Sequence, residues 1–439
     1  IPRCSGVDRA TTEAAVAALA GRGLRVLAVA RRDATGIGEG MDADAAERDL
    51  ELLGLIALHD PPRSGVSDAV RSARQAGLKL AMVTGDHPTT AAAIARQVGF
   101  FEGEGRIVQG VDLPEDEHVL GALLDHDGVV IARVSPSDKL RIARALQLRG
   151  HVVAMTGDGV NDGPALQAAD IGVAMGDGGT DVARAAADLV LLDDDFSTIV
   201  AAIESGRTTF ANIHRFLTYH LVDNVAELTP FVIWALSGGR FPLALGVLQI
   251  LCLDIGTDVL PAVALGSEAP SPGILKRPPE RRHLIDKPLA VRVFGVLGPT
   301  EAAIEMTAFL VALAAAGWRP GEPFPGGHAL AAASGAAFAA VVLGQVGAAF
   351  ACRSATRPAG ALGWFTNRLM LGAVGFAIVL LVVLVTVPAL ARLLGQAMPP
   401  TAALPVILLA PAIILLVDRL HKAVRRRRPH PHAAVGATG

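Results

Sequence analysis

Two kinds of apolar pattern divide the chain. From Leu24 to the acidic run Asp193-Asp194-Asp195, short β-rich apolar segments alternate with amphipathic helical stretches, the pattern of a parallel sheet with crossover helices. Strands are predicted at Arg25–Ala30, Leu52–Ala57, Leu78–Thr84, Val129–Arg133, His151–Thr156, Ile171–Met175 and Leu189–Leu192. Helices are predicted at Val66–Ala76, Thr89–Val98, Ser137–Leu148, Ala165–Ala169 and Asp181–Ala187. After Phe210 the pattern changes to long apolar runs. A hydrocarbon core of about 30 Å calls for roughly 20 apolar residues per helix, and six stretches meet that, near 212–237, 243–265, 289–316, 329–351, 367–391 and 402–420. The expected architecture is a Rossmann-like α/β soluble part followed by an all-α bundle of six transmembrane helices.

Composition agrees with that division. Hydrophobic residues make up 51% and charged residues only 18% of the 439, and the mean hydropathy is +0.45, so an all-soluble chain is excluded. The net charge of -3 hides an asymmetry: residues 1–208 hold 31 acidic and 20 basic side chains, the remainder 11 and 19. The basic residues of the second half sit in short loops between apolar runs and not on an aromatic-bearing soluble face, which argues against nucleic acid as a partner. Cys4, Cys252 and Cys352 form no CxxC pair, so neither a disulfide framework nor a zinc finger is expected. The soluble half is accordingly placed in a reducing cytoplasm.

Lysine and arginine also orient the apolar runs. Lys276, Arg277, Arg281, Arg282 and Lys287 follow the second run, Arg353, Arg357 and Arg368 follow the fourth, and Lys422 with Arg425 to Arg428 close the chain. The opposite loops hold only Arg240, Arg319 and Arg392. The soluble part and the carboxyl terminus are therefore expected on the cytoplasmic side, with the basic tail a topology anchor or an anionic-lipid contact.

In doubly wound sheets chemistry sits at the carboxyl ends of strands. One such end carries Thr84-Gly85-Asp86, the helix after Val134 carries Lys139, and another end carries Thr156-Gly157-Asp158-Gly159-Val160-Asn161-Asp162. A hydroxyl, an ammonium and two carboxylates four residues apart suit Mg²⁺-assisted phosphoryl transfer: carboxylates hold a hard cation, while Lys and Thr meet the remaining phosphate oxygens. Singly, each piece also reads as a turn or a helix cap. In the apolar half, Asp223, Asn224 and Glu227 lie in the first run, and Asp254, Thr257 and Asp258 in the second, at helical spacing. Gly256 and Pro261 can loosen the second run and free carbonyls. Ionisable groups at such depth face a partner or an ion path, so two facing clusters of oxygen ligands are read as a cation site, with an ion-free interhelical hydrogen-bond network as the alternative. Glu301 and Glu305, one turn apart in the third run, are read as an interhelical polar contact or an ion contributor.

The run MTGDGVNDGPAL resembles the hinge-region signature of P-type ion-pumping ATPases, members of the haloacid dehalogenase superfamily. GLRVLAVARRD (23–33), HDPPR (59–63), MVTGDHPTTAAAIARQVG, ARVSPSDKLRIARALQ and DIGVAMGDGGTDVARAAADLVLLDDDFSTIVAAIESGR are similar to further blocks of that family, in order. DNVAELTPF and ILCLDIGTDVLPAVALGSEAPSPGILKRPP resemble most the sodium/potassium and proton/potassium pumps, and next the calcium pumps.

The resemblance implies a haloacid-dehalogenase-type soluble domain, Mg²⁺ and ATP as cofactors, and transport of a small cation across the plasma membrane. It implies Asp158 as the Mg²⁺ ligand, Asp162 and Asn161 as residues shaping the metal and phosphate site, Thr84 and Gly85 on the phosphoryl oxygens, Lys139 as their counter-charge and Arg25 at the nucleotide; Asp86 would support its loop. Asn224, Glu227, Asp254, Thr257 and Asp258 take the ion-ligand positions, with Gln345 a further candidate. Asp223 departs from the residues common at its position. It also implies a division into a nucleotide-binding remnant (1–40), a phosphorylation domain (41–208), a transmembrane domain (209–423) and a basic tail (424–439).

The family's Asp-Lys-Thr-Gly-Thr phosphorylation sequence and Thr-Gly-Glu loop do not occur. The expectation is therefore the carboxyl-terminal half of a pump, whose partner is the missing amino-terminal half and which alone does not turn over. A membrane-tethered haloacid-dehalogenase-like phosphatase or regulatory binding protein is the alternative.

Overall fold

The computed structural model describes residues 2–33, 47–101, 105–279 and 283–427. Arg281, Arg282 and Arg428, used above for orientation, lie outside them. The chain separates into two units, one of residues 1–204 with 273–279 and one of 205–272 with 280–439.

In the first unit, β1 (Arg25–Arg31) and β2 (Glu51–Leu58) pair antiparallel, with a register shift between Val29 and Ala30. This corrects the expectation of parallel pairing throughout: alternating exposure looks the same in either direction. The boundary expected at residue 40 falls outside the described residues, between two strands that pair with one another. The remaining strands form two three-stranded parallel sheets. In one, β5 (Val129–Ala132) lies between β3 (Ala81–Val83) and β4 (Arg106–Gln109); all four β5 residues are fully buried, as befits a central strand covered on both faces. In the other, β7 (Ile171–Met175) lies between β6 (Ala154–Gly157) and β8 (Leu189–Leu191). The predicted helices form within a residue or two, as Val66–Gln75, Pro88–Gln97, Pro136–Leu148, Gly163–Ala168 and Asp181–Ala186. Helices Arg9–Ala20 and Glu117–Leu124 and strand β4 are additional.

The helix Pro136–Leu148 begins where its sequence dictates. Pro136 occupies the first turn, where its missing N–H costs nothing. Ser135 closes a capping box with Asp138: the Asp138 N–H donates to Ser135 Oγ at 3.2 Å and the Ser135 N–H to Asp138 Oδ2 at 2.9 Å. This cap fixes the first turn, which carries Lys139.

Among the described residues of the second unit, five helical stretches are long and apolar enough to cross a membrane: 247–266, 287–315, 327–352, 368–386 and 401–426. The stretch expected at 212–237 forms the end of the 41-residue helix Phe196–Leu236; His220, Asp223, Asn224 and Glu227 make it more polar than the others. These six are called the first to sixth spans. The second is not uniform, since Leu253–Asp258 is π-helical between α-helical Val247–Cys252 and Val259–Gly266. The third has a π-helical segment, Val293–Leu297, just before Gly298-Pro299; Pro299 has no N–H to continue the ladder, and a one-residue slip accommodates the loss. The fourth span, rich in Ala and Gly, is the most buried and packs against the third and sixth, as small residues permit.

Two residues counted above as loop or tail charges are structural. Arg353 is buried and holds Glu268 through both carboxylate oxygens, at 2.6 and 3.0 Å. Lys422 is buried inside the last helix, where it pairs with Asp418 and donates to the Ala351 carbonyl at 2.9 Å. Arg292 completes that cluster, donating to Asp418 Oδ1 at 2.8 Å and to the Ala351 carbonyl at 2.9 Å.

Candidate functional sites

The soluble site is assembled from two strand ends. Thr84 and Gly85 follow β3; the Thr84 N–H donates to the Ile131 carbonyl and the Val134 N–H to the Thr84 carbonyl, at 2.9 and 3.2 Å. These bonds tie them to the loop that launches the Lys139 helix. Thr84 Oγ1 also bonds Asp86, accepting its N–H and meeting Oδ2, both at 3.1 Å, which is the loop-supporting role expected of Asp86. Arg133, in that loop, adopts a φ of 52°, a left-handed conformation unusual for a side-chain-bearing residue.

Lys139 Nζ reaches Asp162 Oδ1 at 2.5 Å. The other Asp162 oxygen accepts the backbone N–H groups of Gly159 and Asp158 at 3.1 and 3.2 Å. Burial alone would raise the Asp162 carboxyl, but the Lys139 ammonium and the two amides outweigh it and hold the group below the ordinary carboxylate range. A Cβ at Gly157 would stand 2.5 Å from that of Asp162, so only glycine lets the loop fold over this carboxylate. Asp158 and Asn161 are exposed beside it, and the Asp158 carboxylate makes no hydrogen bond among the described residues. Arg25 lies on the separate hairpin, exposed, and is not joined to this cluster by any bond among the described residues.

The sequence reading missed a neighbouring anchor. Asp194 accepts three backbone N–H groups, from Gly176 and Asp177 on Oδ1 at 2.6 and 3.2 Å and from Gly178 on Oδ2 at 2.7 Å. The Arg63 guanidinium stands 3.6 Å from the same carboxylate. The signal was the acidic run at 193–195, read only as the end of the soluble half.

In the membrane unit, Thr257 Oγ1 donates to Gln345 Oε1 at 2.8 Å, and Gln345 Nε2 to Glu227 Oε1 at 3.5 Å. The first, second and fourth spans thus meet through the expected residues, with Gln345 as the link. His220 Nδ1 lies 2.6 Å from Asp258 Oδ2, a partner the sequence did not reveal. Asp258 and Glu227 are each 2% exposed, whereas Asn224 and Asp254 are half-buried. Pro230 supplies no N–H for the Ala226 carbonyl, leaving that oxygen beside Glu227 without its helical partner. Oxygen ligands around a π-helical turn can exchange hydration for protein oxygens, which is what binding a hard cation requires.

Comparison with known proteins bears on both sites. Residues 242–424 match the family model described as cation transporting ATPase, C-terminus. Residues 4–170 and 140–203 match two models of haloacid dehalogenase-like hydrolases. The chain is 41% identical over 386 residues, 88% of its length, to a calcium-transporting ATPase of Bacillus subtilis (strain 168), of which that region is 42%. It is 40% identical over 310 residues, 64% of its length, to the sodium/potassium-transporting ATPase subunit alpha-3 of Rattus norvegicus, of which that region is 30%. The chain thus spans less than half the length of these curated relatives. With a haloacid-dehalogenase-like unit and a cation-ATPase carboxyl-terminal region in the same order as in the pumps, it belongs to the P-type cation-transporting ATPases and corresponds to a carboxyl-terminal portion of one.

Proposed function

We propose that the chain is the carboxyl-terminal half of an ATP-driven pump that couples Mg²⁺-dependent phosphoryl transfer to movement of a small cation across the plasma membrane. The observation that carries this reading is the Lys139–Asp162 pair at 2.5 Å, held beside an open Asp158.

Residues 1–40 would be a nucleotide-binding remnant, 41–208 the phosphorylation domain, 209–423 the transmembrane domain and 424–439 a basic tail, with the soluble part and the carboxyl terminus cytoplasmic. Asp158 offers a free, exposed carboxylate of the hard-oxygen type Mg²⁺ takes, and Asn161 an amide oxygen beside it. When bound there, Mg²⁺ neutralises charge on the transferring phosphoryl group. Asp162 sets the loop and orients Lys139, whose ammonium meets developing charge on the phosphate oxygens. Thr84 and Gly85 present a hydroxyl and a backbone amide to the remaining oxygens. Arg25 would contact the nucleotide. In the membrane, Asn224, Glu227, Asp254, Thr257 and Asp258 would hold the transported ion.

The nucleophilic carboxylate of the family's phosphorylation sequence is absent from this chain, so it has no group to attack the γ-phosphate. The purified chain is expected to form no acid-stable phosphoenzyme from labelled ATP, and co-expression with the amino-terminal half to restore one. Phosphorylation of the chain alone, or phosphatase turnover without the other half, would overturn this reading in favour of a tethered phosphatase.

A further inference from the structure

Asp194 is built into the soluble unit more firmly than the end of an acidic run requires. It is 6% exposed and adopts a left-handed φ of 52°, a conformation that costs a side-chain-bearing residue energy. Arg63, the last residue of the HDPPR run, donates to its carbonyl and stands 3.6 Å from its carboxylate. The three N–H groups it accepts, from Gly176, Asp177 and Gly178, all belong to one loop, 176–180, between β7 and the helix Asp181–Ala186. Only glycine fits so close to the clamp: a Cβ at Gly178 would stand 2.9 Å from Asp194 Oδ2, and one at Gly176 2.7 Å from the Leu191 carbonyl oxygen. Arg184 fastens the same loop from its other side, donating to the Gly176 carbonyl at 2.7 Å.

The far end of this loop reaches the soluble site. The Thr180 N–H donates to the Asp158 carbonyl at 2.8 Å, while the Asp158 N–H donates to Asp162 Oδ2 at 3.2 Å. Both backbone polar groups of Asp158 are therefore held, one by the Lys139–Asp162 cluster and the other by the loop that Asp194 clamps. The Asp158 carboxylate itself makes no bond among the described residues, so its aim follows the backbone that carries it. Mg²⁺ demands near-ideal octahedral geometry with oxygens at about 2.0–2.1 Å, and a small tilt of that backbone costs affinity. Groups that orient a metal ligand from outside are typically worth about 10- to 100-fold in metal affinity.

We propose that Asp194 is a positioning residue for the metal site: by gathering the amides of Gly176, Asp177 and Gly178 it fixes the loop 176–180, and through the bond from Thr180 to Asp158 it aims the Asp158 carboxylate. The inference rests on the reading of Asp158 as the Mg²⁺ ligand.

The test is equilibrium binding of Mn²⁺ to the complete pump in detergent, read by electron paramagnetic resonance, with the class of ion lost in Asp158→Asn taken as the site. Asp194→Asn keeps the size of the side chain but turns one acceptor into a donor. It is expected to weaken that class about tenfold and to raise the Mg²⁺ concentration for half-maximal phosphorylation by the same factor, with the maximal rate at saturating Mg²⁺ within about twofold of wild type. Thr180→Pro, at a φ of -74° that proline adopts readily, removes the amide that reaches Asp158 and leaves the Asp194 clamp in place. It should act in the same direction, and it covers the case in which Asp194→Asn does not fold. In the unmodified pump, saturating Mg²⁺ should slow backbone hydrogen exchange at 176–180 as well as at 157–162. Unchanged Mn²⁺ binding in both Asp194→Asn and Thr180→Pro, with Asp158→Asn still losing its ion, overturns the positioning role alone. Unchanged Mn²⁺ binding in all three overturns Asp158 as the ligand. A lower melting temperature with unaltered Mn²⁺ affinity, or exchange protection confined to 157–162, also overturns the proposal and leaves Asp194 a purely structural anchor.

Discussion

The soluble and membrane units both bury carboxylates, but they compensate them differently. Asp162 in the soluble unit has its counter-charge and two amides within one short loop and the next helix. In the membrane unit some carboxylates are answered just as fully, Asp418 by Arg292 and Lys422 and Glu268 by Arg353. Others, Asp223, Glu301 and Glu305, have no hydrogen-bond partner for their carboxylate oxygens among the described residues. A paired buried carboxylate holds structure together, whereas an unpaired one creates demand for a mobile positive charge. The contrast separates scaffold from site within one helical bundle.

That contrast can be broken most severely at Asp418. Asp418→Ala strands two buried basic groups and should destabilise the membrane unit by about 3–5 kcal/mol, the cost typical of breaking a buried pair. Thermal unfolding in detergent checks this, and a change within error would move Asp418 out of the scaffold class. At the opposite pole, Asp258→Asn and Glu227→Gln in the complete pump should leave fold and nucleotide binding intact while raising at least tenfold the ion concentration needed for phosphorylation. An unchanged ion dependence would move the transport site elsewhere.

Asp158→Asn tests the soluble half of the comparison. It should slow Mg²⁺-dependent phosphorylation about tenfold or more, equivalent to about 1.4 kcal/mol in the transition state, because the open carboxylate beside Asp162 is the metal ligand in the proposed scheme. A wild-type rate would remove it from the site. The smallest effect is on acid stability. Asp125 is held well below the usual carboxylate range, first by the Lys79 ammonium at 2.5 Å, with Arg149 and His151 adding to it. Asp162 is lowered too. A depressed carboxylate stabilises the fold above its unfolded value, about 3.9, and that contribution fades as pH falls toward the folded value. Asp125→Asn and Asp162→Asn should each flatten the loss of stability below about pH 4; a slope identical to wild type in pH-dependent unfolding would contradict the assignment.

Much of this was legible in the sequence because the signals are local. Lys139 and Asp162 stood in motifs read for phosphate chemistry, and the fold brings them together at 2.5 Å; five of the six expected spans announced themselves by length and apolarity. What escaped depended on partners distant in sequence. Asp418 stands one turn before Lys422, but only the distant Arg292 and the Ala351 carbonyl turn that pair from a tail charge into a buried cluster. Gly344 gave no hint that it leaves room for Glu301, 43 positions earlier. Strand β4 has only four residues, with Ile107 and Val108 its apolar pair, too short a run for alternation to register. The pairing sense of β1 and β2 could not be read because the connecting stretch carries no tight-turn signature.

The membership of residues 273–279 in the first unit has a practical consequence for dissecting the protein. Leu275 packs on the small apolar cluster of Ala69, Ala73 and Val200, and Pro278 lies so close to Gly77 that a Cβ there would stand 3.1 Å from its Cα. Truncation after Glu204 would strip this cover and leave a greasy patch open to self-association. A soluble version for biochemical work would need the heptapeptide 273–279 grafted back, or polar replacements at the cluster, before its monodispersity could be trusted.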